Sequence, residues 1–481
     1  MIRASVRTVL LAGGVALLSV PAFADTLREA LALAYRSNPT LQGARAQQRA
    51  VDEDVTQARA EALPQVNGTA QYVEFLKQSS NNFTAPRRLI GAGIDLGVPL
   101  YSGGAIRNSI RAARSRVGAG REDLRGTEAS VFTEAVAAYM DVIRDQAIVG
   151  LNRNNVEVLR VNLQATSDRF EIGDLTRTDV AQSGSRLALA RGDLRSAESN
   201  LIASRERYIQ VVGKEPVDLQ PPPPLPGLPA NPDAAVAVAL DANPDLLAAR
   251  ERSKAAGYDI DVAGAGRLPR ISVFTSGDYS NYLGTLGGNI GPNVAQTATT
   301  AQAGVRATIP IFSGGRYASQ ERQAQARAAA TYENEIAVER DVIAQVRSAY
   351  ASWQAANEII ATNQTAVEAA ALSLEGVRAE SSVGNRTILN ILDAEQELLR
   401  AQVQLVAARR NAYVAGFSLL AAMGRAEAED LGLDGGPLYD PAVNYRRVRH
   451  KIWDWAKDPD PVAQSTRTVD TRAQDASIPP Q

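Results

Sequence analysis

The 481-residue sequence contains no cysteine and only one histidine, His450. Disulfides and thiolate metal sites are therefore excluded, and histidine-based catalysis or metal binding is close to excluded. Basic residues (51) and acidic residues (53) nearly balance, so the sequence lacks the basic excess typical of nucleic-acid binding. Aromatic residues make up only 5%, whereas Ala, Leu, Val, Arg, Glu and Gln dominate. This composition favours long helices.

Motifs of the common enzyme classes are also missing. The sequence has no glycine-rich phosphate loop with its lysine, no HExxH motif and no nucleophile elbow. We therefore predict that the protein is not an enzyme, that it has no catalytic or metal-binding residues, and that it needs no cofactor.

Long apolar runs are scarce, and the one that stands out is at the N-terminus. Two arginines precede the apolar run Val9–Val20, and Ala22-Phe23-Ala24 follows it. This pattern predicts a cleaved secretory signal peptide over residues 1–24, with a membrane anchor as the alternative. No other segment approaches the roughly 20 apolar residues that a transmembrane helix needs.

The rest of the chain repeats one pattern twice. "SNPTLQGARAQ" (37–47) returns as "ANPDLLAARER" (242–252), and "VPLYSGGAIR" (98–107) returns as "IPIFSGGRYA" (309–318). Equivalent positions differ by 205 residues in the early part of each copy and by 211 in the later part. The six extra residues are expected in the glycine-rich stretch 282–293, as a longer loop.

The repeat divides the chain into five predicted parts. Prolines in "EPVDLQPPPPLPGLPANP" cannot continue a helix and predict an extended linker between the copies. The end of the chain is rich in Pro, Asp and Ser, and we predict that it is largely disordered after about residue 457. The parts are the signal peptide (1–24), the first repeat (25–214), the linker (215–232), the second repeat (233–424) and a C-terminal extension (425–481).

Each repeat has the same predicted plan of helix, β-hairpin and long helices. Helix-forming stretches (27–62 and 233–267) precede hairpins at 64–101 and 269–312. Apolar Ile94, Leu96 and Val98 alternate with Asp95 and Gly97, which predicts a sheet with one apolar and one polar face. The predicted strands cover 64–75, 91–101, 269–280 and 303–312. The predicted breaks from strand to helix are Ser102, Gly103 and Gly104, and Ser313, Gly314 and Gly315.

The helices that follow the hairpins are predicted to be very long. No proline interrupts the chain from Gly104 to Phe170, which as one helix would reach about 100 Å. Apolar residues then recur every seven positions, at Val180, Leu187, Leu194, Leu201 and Tyr208, as in a coiled coil. Gly173 and Gly384 interrupt the helices at equivalent places, and they predict tight turns at the tip of each helical hairpin.

Strands of about ten residues have the length that crosses a bilayer when tilted. Four strands cannot close a barrel, and open sheet edges are not tolerated in lipid, so the strands demand an oligomer. Two chains would give eight strands, three twelve and four sixteen. A secreted coiled-coil adhesin or structural fibre would explain the heptads, but neither the hairpins nor the repeat.

Together these features resemble the TolC-like outer-membrane channels of efflux pumps and type I secretion systems. The resemblance covers roughly residues 26–435 and includes the paired Asn-Pro helices, the hairpins ending "PLYSGG" and "PIFSGG", and the tip turns "EIGDLTRTDV" (171–180) and "SVGNRTILNILDAEQ" (382–396). It implies a mainly α fold with β: a homotrimer whose 12-stranded outer-membrane β-barrel, four strands per chain, is continued by a long α-helical coiled-coil periplasmic barrel. It also implies a Gram-negative outer membrane and its lipid, a periplasmic adaptor (membrane fusion protein), and an inner-membrane ABC transporter or other pump.

The resemblance also implies site residues near the tip turns. Thr178, Asp179 and Arg386 match positions that help to hold the periplasmic entrance shut. Asn390 and Asp393 match two acidic residues that ring the lumen constriction, so a trimer of this chain would carry three carboxylates there rather than six. Ser381 stands where those relatives have an aromatic residue. The alternative is that these are ordinary solvated charges at helix ends.

The C-terminal stretch 435–458 resembles the signature of type I secretion members of that family. Its Tyr445, Trp453 and Trp455 are expected to pack on the outside of the tunnel. The sequence therefore favours the exit duct of a type I secretion system, passing a protein substrate across periplasm and outer membrane. The outer-membrane component of a multidrug efflux pump is the alternative.

Overall fold

The computed structural model describes residues 25–78, 85–287, 294–433 and 438–478. The predicted signal peptide, 1–24, lies outside the described residues. In chain order the elements are α1 (Leu27–Ser37), α2 (Pro39–Ala60), β1 (Gln65–Glu74), β2 (Arg88–Tyr101), α3 (Ala105–Glu171), α4 (Arg177–Val212), α5 (Pro232–Ala242), α6 (Pro244–Gly264), β3 (Arg270–Asn281), β4 (Thr297–Thr308), α7 (Arg316–Ser382), α8 (Ile388–Ala422) and α9 (Pro441–Val448).

The chain is a tandem repeat of two helices, a β-hairpin and two long helices. The first copy runs from α1 to α4, the second from α5 to α8, and α9 follows both. Helices α3 and α7 have 67 residues each, which corresponds to about 100 Å. The predicted mainly helical fold with four strands is therefore confirmed. No helix in the described ranges is both long enough and apolar enough to cross a membrane.

The four strands form one antiparallel sheet in the order β1-β2-β3-β4. Val66 lies opposite Leu96 in the first hairpin, and Ile271 lies opposite Ala307 in the second. These two pairs are related by the 205- and 211-residue spacings of the repeat. The hairpins therefore share one register, and the six extra residues lie between β3 and β4, in a connection of which 288–293 are outside the described residues.

Residues that are directly opposite in an antiparallel sheet share a face, so the register sorts the side chains into two sets. Ile94, Leu96, Val98, Ile271 and Val273 all lie on one face, together with Val66 and Val305. The other face carries Asp95, Asp278, Arg270, Arg306 and a series of Ser, Thr, Gln and Gly residues.

The predicted strand ends differ from the observed ones in the second hairpin. The fourth strand was expected at 303–312, but β4 covers Thr297–Thr308 and the chain has left the sheet before Pro310. Its counterpart Pro99 stays in β2, next to a β-bulge between Pro99 and Tyr101. Proline cannot donate a ladder hydrogen bond, so it remains in a strand only at an edge or a bulge.

Each helix-forming stretch is broken in two at an Asn-Pro pair. The Asn38 amide oxygen caps α2 by accepting from the Thr40 N–H at 2.9 Å, and its amide nitrogen donates to the Val211 carbonyl at the end of α4. Asn243 does the same in the second repeat, capping α6 and donating to the Ala422 carbonyl at 2.9 Å. The buried asparagine thus begins one helix and holds the end of another.

The main apolar core lies midway along α3 and not at the sheet. Phe132, Tyr139 and Tyr208 are fully buried there, among residues of α1, α4, α8 and the linker. The Tyr139 hydroxyl lies 2.9 Å from the Asp25 carbonyl oxygen and 2.6 Å from that of Gln220. The linker is thus tied to the start of the described chain.

The two long equivalent helices differ in what covers them. Nineteen residues of α3 are buried but only five of α7, because α3 lies between both repeats and α7 lies at one side of the chain. Tyr332, Ile336, Ile359 and Leu372 of α7 are all exposed. These apolar side chains of α7 are therefore uncovered in the single chain.

The C-terminal extension was predicted to be largely disordered after about 457. No helix or strand follows α9 in the described part of the chain, yet residues up to 478 lie against α4. Arg205 donates to the carbonyl oxygens of Asp475 and Ser477, and the Gln474 N–H donates to Glu206. The segment has an irregular but specific path, because polar backbone bonds replace regular structure.

The aromatic residues of the extension behave differently from one another. Tyr445 packs against the cluster of Val55, Ala58, Ala113 and Val117, as expected. Trp453 and Trp455 are 71% and 80% exposed, so the expectation that they pack on the helices is wrong for this chain.

Candidate functional site

The first tip turn joins α3 to α4 and is built on a left-handed glycine. Gly173 has φ 84°, a conformation that suits glycine, and its N–H donates to the Phe170 carbonyl at 3.0 Å. The next N–H, of Asp174, reaches back to the Arg169 carbonyl at 2.9 Å. These bonds end α3, and Thr176 then begins α4 as its N-cap.

Asp179 completes a capping box with Thr176. Its carboxylate accepts hydrogen bonds from the Thr176 N–H at 2.9 Å and hydroxyl at 2.7 Å, and its own N–H donates to the Thr176 hydroxyl oxygen at 3.3 Å. These bonds favour the ionised form, so they lower the pKa of Asp179. The carboxylate of this predicted gate residue is therefore already engaged in starting its own helix.

The second tip turn, between α7 and α8, is built in the same way. Gly384 has φ 81°, and the Asn390 amide oxygen accepts from the Thr387 N–H at 3.1 Å and from its hydroxyl at 2.8 Å. Asn390 is 211 residues beyond Asp179, so the two occupy the same place in the repeat. A residue predicted for the constriction and one predicted for the gate are thus structural equivalents.

The predicted gate residues do not contact one another within the chain. Arg386 pairs with Glu380 of its own turn, with its Nε 2.7 Å from a Glu380 carboxylate oxygen. Asp179 is bonded to Thr176, and Thr178 is exposed. A contact between Asp179 and Arg386 would therefore require a second chain or an exchange of these partners.

The ion pair that does connect the two repeats near the tip is Arg186–Asp393. Arg186 of α4 approaches Asp393 of α8 to 2.6 Å between Nη2 and Oδ1, and it also donates to the Gln396 amide oxygen. Asp393, which is predicted for the lumen constriction, thus connects two helices. Arg186 was not predicted from the sequence. The available signal was its positive charge, which lies on α4 about one helical turn from the position that is equivalent to Asp393 in the repeat.

An apolar layer lies behind this ion pair. Leu392 of α8 is almost fully buried against Leu159 of α3 and Leu187 and Ala190 of α4. Each helical hairpin also has its own polar link, Thr166 with Ser183 at 3.3 Å in the first repeat and Arg378 with Glu395 in the second. The tip region is therefore held by one small apolar cluster and a few exchangeable polar contacts.

The break from strand to helix lies at the opposite end of the long helices. Gly103 and Gly104 have φ 66° and 87°, and Gly314 and Gly315 have φ 60° and 82°. After them, the Ala105 N–H donates to the Ser102 carbonyl, and the Arg316 N–H donates to that of Ser313. At Gly103 a side chain would also collide, because an added Cβ would lie 2.7 Å from Leu268 Cβ. Both glycine pairs turn the chain sharply from the sheet into a 67-residue helix.

The polar contacts at the tip are weak and exchangeable. The tip offers ion pairs and helix caps that are exposed and individually weak, worth about 0–1 kcal/mol for a surface pair. In the described ranges, no three or more His, Cys, Asp or Glu side chains come close enough together to hold a metal ion. The long helices carry a sheet with one apolar and one polar face at one end and charged turns at the other end.

Known proteins are similar to this chain in sequence and in fold. The family model described as outer membrane efflux protein matches residues 30–214 and 235–425. The chain is 34% identical over 457 residues to the outer membrane efflux protein BepC of Brucella suis, covering 95% of this chain and 97% of BepC. It is 27% identical to the outer membrane protein TolC of Vibrio cholerae, covering 86% and 94%. The solved structure of the outer membrane protein VceC from Vibrio cholerae has the same fold, with a TM-score of 0.70 and 20% sequence identity. The match covers 83% of this chain and 96% of VceC.

Proposed function

The chain belongs to the outer membrane efflux protein family, and from this membership and its two-ended architecture we propose that it is the outer-membrane exit duct of a tripartite transport system. Proteins of this family are channels, and this one is an outer-membrane protein with a helical periplasmic domain. The duct has no chemistry of its own to perform and is not an enzyme. A periplasmic adaptor and an inner-membrane transporter deliver the cargo to its tip.

The observation that carries the proposal is the open sheet with one apolar and one polar face. Among the described residues, both outer strands, β1 and β4, lack a partner strand on one side. Open edges do not occur in lipid, so other copies must supply the missing strands. In a trimer the apolar face with Leu96 and Val273 meets lipid, and the polar face with Asp95 and Arg306 lines the pore.

The uncovered side of α7 supports the same assembly. Within the chain, α3 packs against α6 of the other repeat. The equivalent neighbour of α7 is α2, and that helix is available only from the next chain. Exposed Tyr332 and Ile336, one turn apart on α7, would be covered there.

The gate belongs to the tip turns in this proposal. The tie best supported by distance is Arg186–Asp393, because it joins α4 to α8 inside each chain. Thr178, Asp179 and Arg386 are proposed as contacts to the neighbouring chain, for which the last two would exchange their present partners. Asn390 serves as a helix cap, and Asp393 supplies the carboxylate ring at the constriction.

Two cargo classes are compatible with this duct. Efflux is supported by BepC, a relative at 34% identity that is covered over 97% of its length and whose name describes an efflux protein. Type I secretion of a protein is supported by the resemblance of residues 435–458 to the signature of secretion members. The similarity to BepC extends over 95% of the chain and the secretion signature over 24 residues, so both cargo classes are carried into the experiment.

A deletion strain tests both the duct and its cargo. Loss of the gene should lower resistance to dyes, detergents and antibiotics if the cargo is small molecules, and should remove particular proteins from the culture medium if the cargo is protein. The purified protein should migrate as a heat-sensitive trimer and conduct ions in a planar bilayer. A monomer without conductance would contradict the duct itself, whatever the deletion phenotype.

A further inference from the structure

The C-terminal loop, residues 449–458, follows α9 and lies beside the end of α2. Helix α9 runs alongside α2 in the same direction: Asn444 donates to Asp52 at 2.8 Å, and the Thr56 hydroxyl donates to the Val448 carbonyl at 3.2 Å. Arg59 then donates to the Arg449 carbonyl at 2.7 Å. Because α2 ends at Ala60 and β1 begins at Gln65, α9 carries the loop to the sheet end of the helices.

The loop is closed at its base by ion pairs. Both terminal nitrogens of Arg447 lie 2.7 Å from the Asp458 carboxylate oxygens, and Lys451 Nζ lies 3.0 Å from one of them. These two cations hold the pKa of Asp458 well below its usual range. Between the ends, the Ala456 N–H donates to the Trp453 carbonyl at 3.0 Å. The apex of the loop is therefore a defined turn and not a free tail.

The apex exposes an unusual combination of side chains. Ile452, Trp453 and Trp455 are 75%, 71% and 80% exposed, although the chain has only three tryptophans in all. The loop itself, residues 449–458, contains three Lys or Arg against two Asp, a small excess of positive charge. Exposed tryptophan beside basic residues is the composition found where proteins contact the headgroup region of a membrane.

The loop is also continuous with the lipid-facing side of the sheet. Leu63, which follows α2, lines the same cavity of about 570 Å³ as Arg449–Trp453, and it is 38% exposed. Three residues after Leu63, Val66 of β1 lies on the apolar face and is 67% exposed. The exposed apolar surface thus runs from the loop through Leu63 onto the face that meets the hydrocarbon.

We propose that the C-terminal loop is a lipid anchor that binds the periplasmic leaflet of the outer membrane. Trp453, Trp455 and Ile452 enter the headgroup region, and the basic side chains of the loop bind the phosphate groups of anionic phospholipid. Each chain has one such anchor, because α6, the repeat equivalent of α2, has no counterpart of α9 beside it among the described elements. The inference requires the outer-membrane location and does not depend on the cargo.

Tryptophan fluorescence tests this proposal in the intact protein. Trp353 lies in α7 beside Tyr350, 37 residues from the sheet end of that helix, about 55 Å along it. The variant Trp353→Phe retains only the two loop tryptophans, and the matched variant Trp453→Phe/Trp455→Phe retains only Trp353. Both are reconstituted as full-length trimers in liposomes with or without phosphatidylglycerol brominated near the top of its acyl chains. Trimer yield on a gel checks that each variant is folded.

Brominated lipid should remove about half or more of the emission of Trp353→Phe and leave that of the matched variant nearly unchanged. Brominated phosphatidylglycerol should quench more than brominated phosphatidylcholine, and the difference should shrink at high salt. Equal quenching of the two variants would overturn the proposal. Full quenching of the loop tryptophans by aqueous iodide would also overturn the proposal, because it would place them in water. Quenching by neither iodide nor brominated lipid would overturn it too, because it would place them against another protein chain. Equal quenching by the two lipids would overturn the assignment of the anionic phosphate.

Discussion

Asp179 and Asn390 occupy one structural position in the two repeats, yet only one of them can ionise. Both accept hydrogen bonds from the threonine that caps the following helix. The carboxylate makes its cap depend on pH, whereas the amide does not. The chain therefore contains a titratable tip turn and, 211 residues later, its own neutral control.

Acid should loosen the first tip turn and spare the second. Because the folded turn lowers the pKa of Asp179, the stability that this group contributes is present above its ordinary value of 3.8 and is lost as the pH falls through the lowered value. Hydrogen exchange of residues 176–180, corrected for intrinsic rates, should accelerate relative to 387–391 as the pH falls below 3.8 and through the lowered pKa of Asp179. In Asp179→Asn the pH dependence should disappear. An unchanged ratio in the native protein would show that the cap does not depend on the charge.

Arg186 and Asp393 should stabilise the closed tip together. A surface ion pair is worth at most about 1 kcal/mol, but three copies acting on one closed state add up to at most about 3 kcal/mol, a shift of roughly a hundredfold. Arg186→Glu should therefore raise the conductance in planar bilayers without lowering the trimer yield. Adding Asp393→Arg should restore the low conductance by reversing the pair.

The matched control for this experiment is Arg195→Glu. Arg195 lies on the same helix and is 83% exposed, and its partner Glu198 is on its own helix. Its reversal should leave conductance unchanged. If Arg195→Glu opens the channel as far as Arg186→Glu does, general charge and not the tie between helices controls the tip.

At the scale of elements, the same substitution to arginine should have different effects on the two faces of the sheet. Leu96→Arg or Val273→Arg places a charge on the apolar face, which should cost about 2–4 kcal/mol at mid-membrane and reduce trimer assembly. Ser276→Arg is the matched control, because Ser276 is on the polar face opposite Asp95. Heat-modifiable trimers on a gel report the outcome. Normal assembly of both apolar-face variants would contradict the assignment of that face to lipid.

Most elements could be predicted from the sequence because each has a strong local signal. The absence of proline predicted α3, and the seven-residue spacing of apolar residues predicted α4. The alternation of apolar and polar residues predicted β2, and the repeat predicted the equivalent elements in the second copy. The end of β4 could not be predicted, because whether Pro310 stays in a strand depends on a neighbouring strand and a bulge. The Arg186–Asp393 pair was missed for a related reason: it depends on how closely α4 approaches α8, and no local pattern encodes that approach.

At the scale of the whole molecule, the repeat predicts how one chain meets the next. Leu96 of β2 lies opposite Thr275 of β3. Their repeat equivalents are Ala307 of β4 and Ala70 of β1, which cannot meet within the chain because these strands are the two edges of the sheet. We therefore expect Ala307 to lie opposite Ala70 of the next chain in the trimer.

Cysteine cross-linking tests this contact in a chain that has no native cysteine. Ala70→Cys with Ala307→Cys should form disulfide-linked oligomers on oxidation. Ala70→Cys with Ala303→Cys should not, because four residues along a strand displace the second sulfur by about 13 Å. Cross-linking of the second pair alone would show that the chains meet in another register.

The tandem repeat also has a genetic consequence. Six copies of a chain half as long could also form a ring of six equivalent helical hairpins. Every mutation would then change all six hairpins at once. In this chain each codon determines the residue in only three of the six hairpins. A substitution at position 179 therefore leaves position 390 unchanged, and position 390 still caps its helix. The two halves can therefore accumulate different residues under selection, and half of the ring can acquire a new charge while the other half preserves the old geometry.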